Sequence, residues 1–196
     1  MMKRMGFATL ALAAAVTAAC GGGTREDNNA VVGTAGEGAP RGVERFVNDV
    51  VAGSTAEIEL SRMAAERASN AEVKQFAEMM VRDHTAAGNE LKQTLGQHNM
   101  QVQDVMDEKH RDMSQELARL NGAEFDHEYM AAMVDDHQHM EDLLEGRANE
   151  KANNQPLENA VNQWAAKTLP AVKHHLQMAQ QIEDRLDDTP RRNTTQ

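Results

Sequence analysis

The sequence predicts an all-α fold, with four long helices and one short one between residues 43 and 187. Three observations predict it. Aromatic residues make up only 3% of the chain and there are 4 prolines, while Ala, Glu, Gln, Leu and Met dominate, a mix that favours helix over sheet. Apolar residues recur at three- and four-residue steps over long spans. Stop signals at Ser69-x-x-Glu72, Asn121-Gly122 and Pro156 then cut those spans into helix-length segments.

Taken in order, residues 1–19 carry Lys3 and Arg4, an apolar run from Met5 to Val16, and small residues up to Cys20. This is the pattern of an export signal, and the run is shorter than the roughly 20 residues a bilayer-spanning helix needs. Thr17-Ala18-Ala19-Cys20 resembles the bacterial lipobox, although Thr17 stands where Leu is usual. It predicts a lipid on Cys20, the sole cysteine of the chain, and Gly21 in place of Asp predicts an outer-membrane address. The alternative is secretion to the periplasm without an anchor. Residues 20–42 are glycine-rich and aperiodic, a flexible tether. Five helical segments follow at about 43–69, 72–97, 104–120, 123–150 and 156–187, with weak points at Gly53-Ser54 and Pro170. Residues 188–196 read as a disordered tail. With the short third segment as crossover, the up-and-down order predicts a ferritin-like four-helix bundle plus one short helix.

Polar residues interrupt the apolar stripes. The first segment presents Val50, Gly53, Glu57 and Leu60; the second Ala77, Met80 and His84; the fourth Met130, Met133, His137 and Met140, with Asp136 and Glu141 at the margins. On the fifth the line runs Val172, His175, Ala179, with His174 beside it. A rise of about 1.5 Å per residue puts Glu57, His84 and His137 at one depth, about 19–22 Å from a common end, and His174 roughly one turn away. Buried imidazoles and carboxylates must satisfy one another, water or a metal. The two expectations are a polar layer without a ligand, and a transition-metal site drawn from Glu57, His84, His137 and His174, with Asp136 and Glu141 as further carboxylates. A pentapeptide, Met-Val-x-Asp-His, occurs at both 80–84 and 133–137.

Several function classes are disfavoured. A formal charge of -11 opposes nucleic acid and anionic lipid surfaces as partners. No nucleophile elbow, phosphate loop or Cys-His pairing occurs, so no catalytic residue is assigned and an enzyme is not supported. Asp83-His84 and Asp136-His137 are consecutive on helices, about 100° apart, so neither Asp can orient its own His, and both are expected at the surface. A di-iron carboxylate centre needs two Glu-x-x-His motifs, whereas the chain offers Glu124-x-x-His127 at the start of the fourth helix. Met80 with His84, and Met133 with His137, would suit Cu(I), though methionine at this spacing is more often core filler. His98, His127 and His139 are expected in solvent, and His110 on an apolar line.

The segments TAEIELSRMAAERASNAEVKQFAEMMVRDHTAAGNEL, LNGAEFDHEYMAAMVDDH and QWAAKTLPAVKHHLQMA resemble the bacterial domain of unknown function 4142, across about residues 43–183. The shared motifs are Ala-Glu-x-Glu-Leu, Phe-Ala-x-x-Met-Val-x-Asp-His, Phe-Asp-x-x-Tyr-Met and Lys-Thr-Leu-Pro-x-x-x-x-His, with Trp164 where Phe is usual. The resemblance implies a ferritin-like fold and an envelope location without a demonstrated reaction. The expected function is therefore that of a lipid-anchored envelope protein on the periplasmic face of the outer membrane, in a binding or stress-related role. The alternative is a metal-binding bundle for iron, manganese, zinc or copper; a di-metal oxidoreductase ranks last. Neither the partner nor the oligomeric state follows from the sequence.

Overall fold

The structure is a computed structural model in which residues 41–188 are described. Those residues form five helices and no strand: α1 (Arg41–Arg67), α2 (Ala71–Gly96), α3 (Glu108–Leu117), α4 (Gly122–Ala148) and α5 (Pro156–Asp187). The all-α expectation holds. The signal segment, Cys20, the tether up to residue 40 and the tail from residue 189 lie outside the described residues.

Helix α1 begins at Arg41, two residues inside the expected tether, and runs unbroken through Gly53-Ser54. Glycine at 53 serves packing: a Cβ there would lie 3.2 Å from Met140 Cε of α4, so its absence lets the two helices approach. Helix α5 likewise continues through Pro170, which sits on its exposed side.

The α1–α2 turn differs from the expected capping box. Asn70 is the N-cap of α2, its Oδ1 accepting from the Glu72 amide at 2.7 Å and the Val73 amide at 3.4 Å. Ser69 is taken instead by the buried Asp126 of α4, whose carboxylate accepts from the Ser69 amide at 2.9 Å, the Asn70 amide at 2.8 Å and the Ser69 hydroxyl. An anionic acceptor from a neighbouring helix outcompetes a local box because charge-assisted hydrogen bonds are the stronger ones. Helix α3 starts at Glu108 rather than 104, since Asp107 caps it by accepting from the His110 amide at 2.9 Å. Arg67 closes its far end, donating to the carbonyls of Ala118 at 3.1 Å and Leu120 at 2.6 Å.

The long helices neighbour one another in the order α1, α2, α5, α4 and back to α1, with α3 against α1 and α4. Two apolar clusters fill the interior. One gathers Leu60, Phe76, Met80, Tyr129, Met133, Ala179 and Ile182. The other gathers Val50, Val51, Leu91, Met140, Leu144, Trp164 and Val172. Full burial of a side chain of this size contributes about 1.5–3 kcal/mol. Where each long helix crosses from one cluster to the other, a buried polar residue intervenes: Glu57 between Val51 and Leu60, His84 between Met80 and Leu91, His137, with Asp136 beside it, between Met133 and Met140, and His175 between Val172 and Ala179.

Candidate metal centre

Glu57 and His137 are wholly buried, and His84 and His175 are 6% and 4% exposed. The three imidazoles form a near-regular triangle, with ring centroids 5.3 Å apart for His84 and His137, 5.5 Å for His84 and His175, and 5.6 Å for His137 and His175. One ring nitrogen from each lies within 4.8 Å of the others.

Each ring is held from behind. His137 Nδ1 lies 2.9 Å from the carbonyl of Met133, which can only accept, so the proton sits on Nδ1. His84 Nδ1 lies 2.8 Å from Glu57 Oε2, and His137 Nδ1 also lies 3.3 Å from Glu57 Oε1. These two approaches are close without being aligned as hydrogen bonds, so the carboxylate is held chiefly by charge and keeps accepting capacity. His175 Nε2 faces Asp83 Oδ2 at 3.3 Å. What remains is one nitrogen per ring, His84 Nε2, His137 Nε2 and His175 Nδ1, buried and without a hydrogen-bond partner.

The electrostatics follow from this layout. Burial pushes the Glu57 carboxyl up, but the fields of His84 and His137 outweigh it and bring its pKa down to about 2. Burial opposes charge on His84, yet the adjoining Glu57 carboxylate raises its pKa overall. His137 is pushed down by burial, which the Glu57 carboxylate only partly offsets. His175 is brought down to about 4 by burial and by its two imidazole neighbours, against the pull of Asp83. A single ionised Glu57 thus serves a cluster in which one imidazole favours its proton and two favour the neutral, ligating form.

Ligating histidines commonly donate their other N–H to a carboxylate or carbonyl, as at His137 and His175 here, while His84 Nδ1 sits beside the Glu57 carboxylate. In a tetrahedral centre with metal–nitrogen bonds of about 2.0–2.1 Å, the nitrogens stand about 3.3 Å apart. Spacings within 4.8 Å close to that value through shifts of about 1 Å per ring.

Several expected site residues lie elsewhere. Glu57 stands behind the imidazoles rather than among the converging nitrogens. His174 is exposed, and its neighbour His175 takes the inward place. The signal for this was present, since His175 lies on the apolar line and ends the Lys-Thr-Leu-Pro-x-x-x-x-His motif. Asp136 is buried, not on the surface, and turns toward α3, where its Oδ1 meets Lys109 Nζ at 3.1 Å and His110 Nε2 at 3.4 Å. Glu141 pairs with Lys173 at 3.4 Å. Glu124 is exposed and His127 faces Asp187 at 3.3 Å, so the Glu-x-x-His pair stays outside the cluster. Asp83, expected at the surface, is 35% exposed there and also orients a histidine, that of α5. A cavity of about 250 Å³, with His84 and His175 in its wall, adjoins the site.

The family model Domain of unknown function (DUF4142) matches residues 32–182. No curated protein matches the sequence. Among solved structures, a "putative secreted protein DUF305" from Streptomyces coelicolor is similar at a TM-score of 0.60 and 11% identity, over 74% of this chain and 94% of that one. At that identity the likeness concerns the fold. No described helix is long and apolar enough to cross a membrane.

Proposed function

This chain belongs to the DUF4142 family, and from that premise, which carries no activity with it, we propose that it is an extracytoplasmic protein binding one first-row transition-metal ion. The ligands are His84 Nε2, His137 Nε2 and His175 Nδ1, and the ion is one suited to imidazole, copper or zinc. A single observation carries the reading: three buried imidazoles each have the outer nitrogen engaged and the inner nitrogen unpartnered, and one nitrogen from each ring meets the others within 4.8 Å. Glu57 and Asp83 fix the rings, and Glu57 supplies negative charge beside the ion.

The long helices are read as a ferritin-like four-helix bundle with α3 as the crossover. The residues do not fit a di-metal carboxylate centre, because the two carboxylates that adjoin the cluster, Glu57 and Asp83, both stand behind the rings and no Glu-x-x-His reaches it. Export is supported by the N-terminal signal pattern and agrees with the name "putative secreted protein" carried by the structurally similar DUF305 protein. The lipobox-like Cys20 supports attachment to the outer membrane, with release to the periplasm as the alternative.

The test is metal analysis of chelator-free protein reloaded with manganese, iron, copper and zinc. Wild type takes up one ion per chain, and His137→Ala and His175→Ala abolish uptake. Absence of stoichiometric metal, or its retention in both variants, overturns the reading. A second reading is favoured by the ion pair of Glu57 with a protonated His84, which neutralises itself without metal. On that reading the layer is structural, the protein acts as a binding or stress-related envelope protein through its surface, and no ion loads. Membrane fractionation of Cys20→Ser addresses the anchor: release from the membrane supports it, and unchanged partitioning rejects it.

A further inference from the structure

Resting on the metal reading, we propose that the ion's remaining coordination position opens on the adjoining cavity and takes a small exogenous ligand. Its class is a single N, O or S donor carried on an apolar body of a few carbon atoms.

Three histidines leave a four-coordinate ion one position short, the arrangement of zinc sites that accept water or substrate. The fourth position is directed by which rings meet the cavity. His84 and His175 form part of its wall, while His137 is fully buried behind them. The volume, about 250 Å³, is slightly below the roughly 300–1,000 Å³ of pockets for drug-sized ligands, which sets the occupant's size.

The remainder of the wall sets its chemistry. Val50, Leu91, Leu144, Trp164 and Val172, all buried, face the cavity, and Trp164 spends its one donor on the Ala87 carbonyl at 3.2 Å. Water in that inner part finds few polar partners, so an apolar body displaces it favourably. The mouth reaches solvent at Glu59, Arg62 and Asn89, which are exposed. A polar mouth, an apolar chamber and a metal-directed head site together describe a pocket for an amphiphilic donor.

Gly88 makes the chamber adjustable. It lines the cavity, and a Cβ placed on it meets nothing within 4 Å, so the position accepts a side chain, and a larger one reduces the free volume of the chamber.

The experiment uses the full chain loaded with Co2+, whose visible absorption reports ligand number. Imidazole and phenylimidazole are titrated into wild type, Gly88→Ala and Gly88→Leu. Both probes change the wild-type spectrum, and phenylimidazole binds about tenfold or more tighter because its ring is buried. Gly88→Leu retains one Co2+ per chain but weakens phenylimidazole about tenfold, with imidazole held within about threefold; Gly88→Ala behaves as wild type. A loaded protein whose spectrum ignores both probes, or equal affinities for the two, overturns the pocket assignment while leaving the metal site standing. Failure to load Co2+ sinks the metal reading and the pocket assignment together. The comparison of probes on wild type decides the matter even if Gly88→Leu does not fold.

Discussion

In α2 the pentapeptide Met80-Val81-Arg82-Asp83-His84 sends its histidine to the buried cluster and its aspartate to His175 of α5. In α4 the same pattern, Met133-Val134-Asp135-Asp136-His137, sends its histidine to the same cluster and its aspartate to Lys109 and His110 of α3. The inward faces of the two copies are alike because both helices cross from one apolar cluster to the other at that residue. The flanks differ because the next helix over differs. One aspartate steadies a ring of the proposed site; the other, 5% exposed, fastens α3. Nearly the same local sequence therefore steadies a buried histidine of a neighbouring helix in one place and ties down a short helix in the other.

Substitutions at the two aspartates should separate accordingly, and Asp136→Ala should show the largest effect. It removes the more buried of the two carboxylates that hold His110 and the partner of Lys109, so denaturant unfolding should show a loss of about 2–3 kcal/mol, with metal affinity changed less than about threefold. A large fall in metal affinity would mean that the aspartates are not divided in role. Asp83→Ala should do the reverse: metal affinity by calorimetry falls about 10–100-fold through loss of the orienting hydrogen bond, while stability of the metal-free protein drops by less than about 1 kcal/mol. Its side chain is 35% exposed, which limits the stability cost.

The pH dependence of the metal-free protein should sharpen the contrast, because the two aspartates' histidine partners shift in opposite directions. His175, surrounded by Glu57, His84, His137 and Asp83, has its pKa lowered from 6.5 to about 4. Between those values the unfolded chain binds the proton more readily, so His175 contributes stability above pH 6.5 that is lost as pH falls to about 4. The loss is on the order of 2 kcal/mol, since His175 lies in the cavity wall. For His110, burial lowers the pKa, but the carboxylates of Asp136 and Asp107 raise it overall, with Lys109 close by. Its contribution is complete below pH 6.5 and disappears as pH rises through the folded value. Thermal melts across pH should accordingly lose their acid-side decline in His175→Gln and part of their alkaline-side decline in His110→Gln. Unchanged limbs in either variant would contradict the assignment.

The smallest effects belong to the shared methionines. Met80 and Met133 are fully buried in the cluster around Phe76 and Tyr129. Met80→Leu and Met133→Leu should each cost less than about 1.5 kcal/mol and leave metal stoichiometry unchanged. Loss of an ion from either would assign a thioether ligand.

The helices, and the common depth of Glu57, His84 and His137, were legible because stripe period and rise per residue hold in uninterrupted helices. The expected His174 is off by one residue from the inward His175, and a one-residue slip turns a side chain by about 100°. The apolar line was the better guide there. The start of α3 was misplaced because a single cap at Asp107, not periodicity, sets it. Asp126 carried no readable role, since two of its partners are backbone amides 56 and 57 residues away, and amides leave no trace in side-chain pattern. Nor could the sequence say which helix each Asp of the repeated pentapeptide would meet.

That same Asp126 contact governs how the fold opens. The α1–α2 hairpin cannot complete its own turn; the Ser69 and Asn70 amides find their acceptor only on α4. In hydrogen exchange those two amides, although in a turn at the edge of the molecule, should be protected to the depth of the helices and exchange only when α4 detaches, through a subglobal rather than a local opening. A loop position would then report the cooperativity of the whole helical assembly.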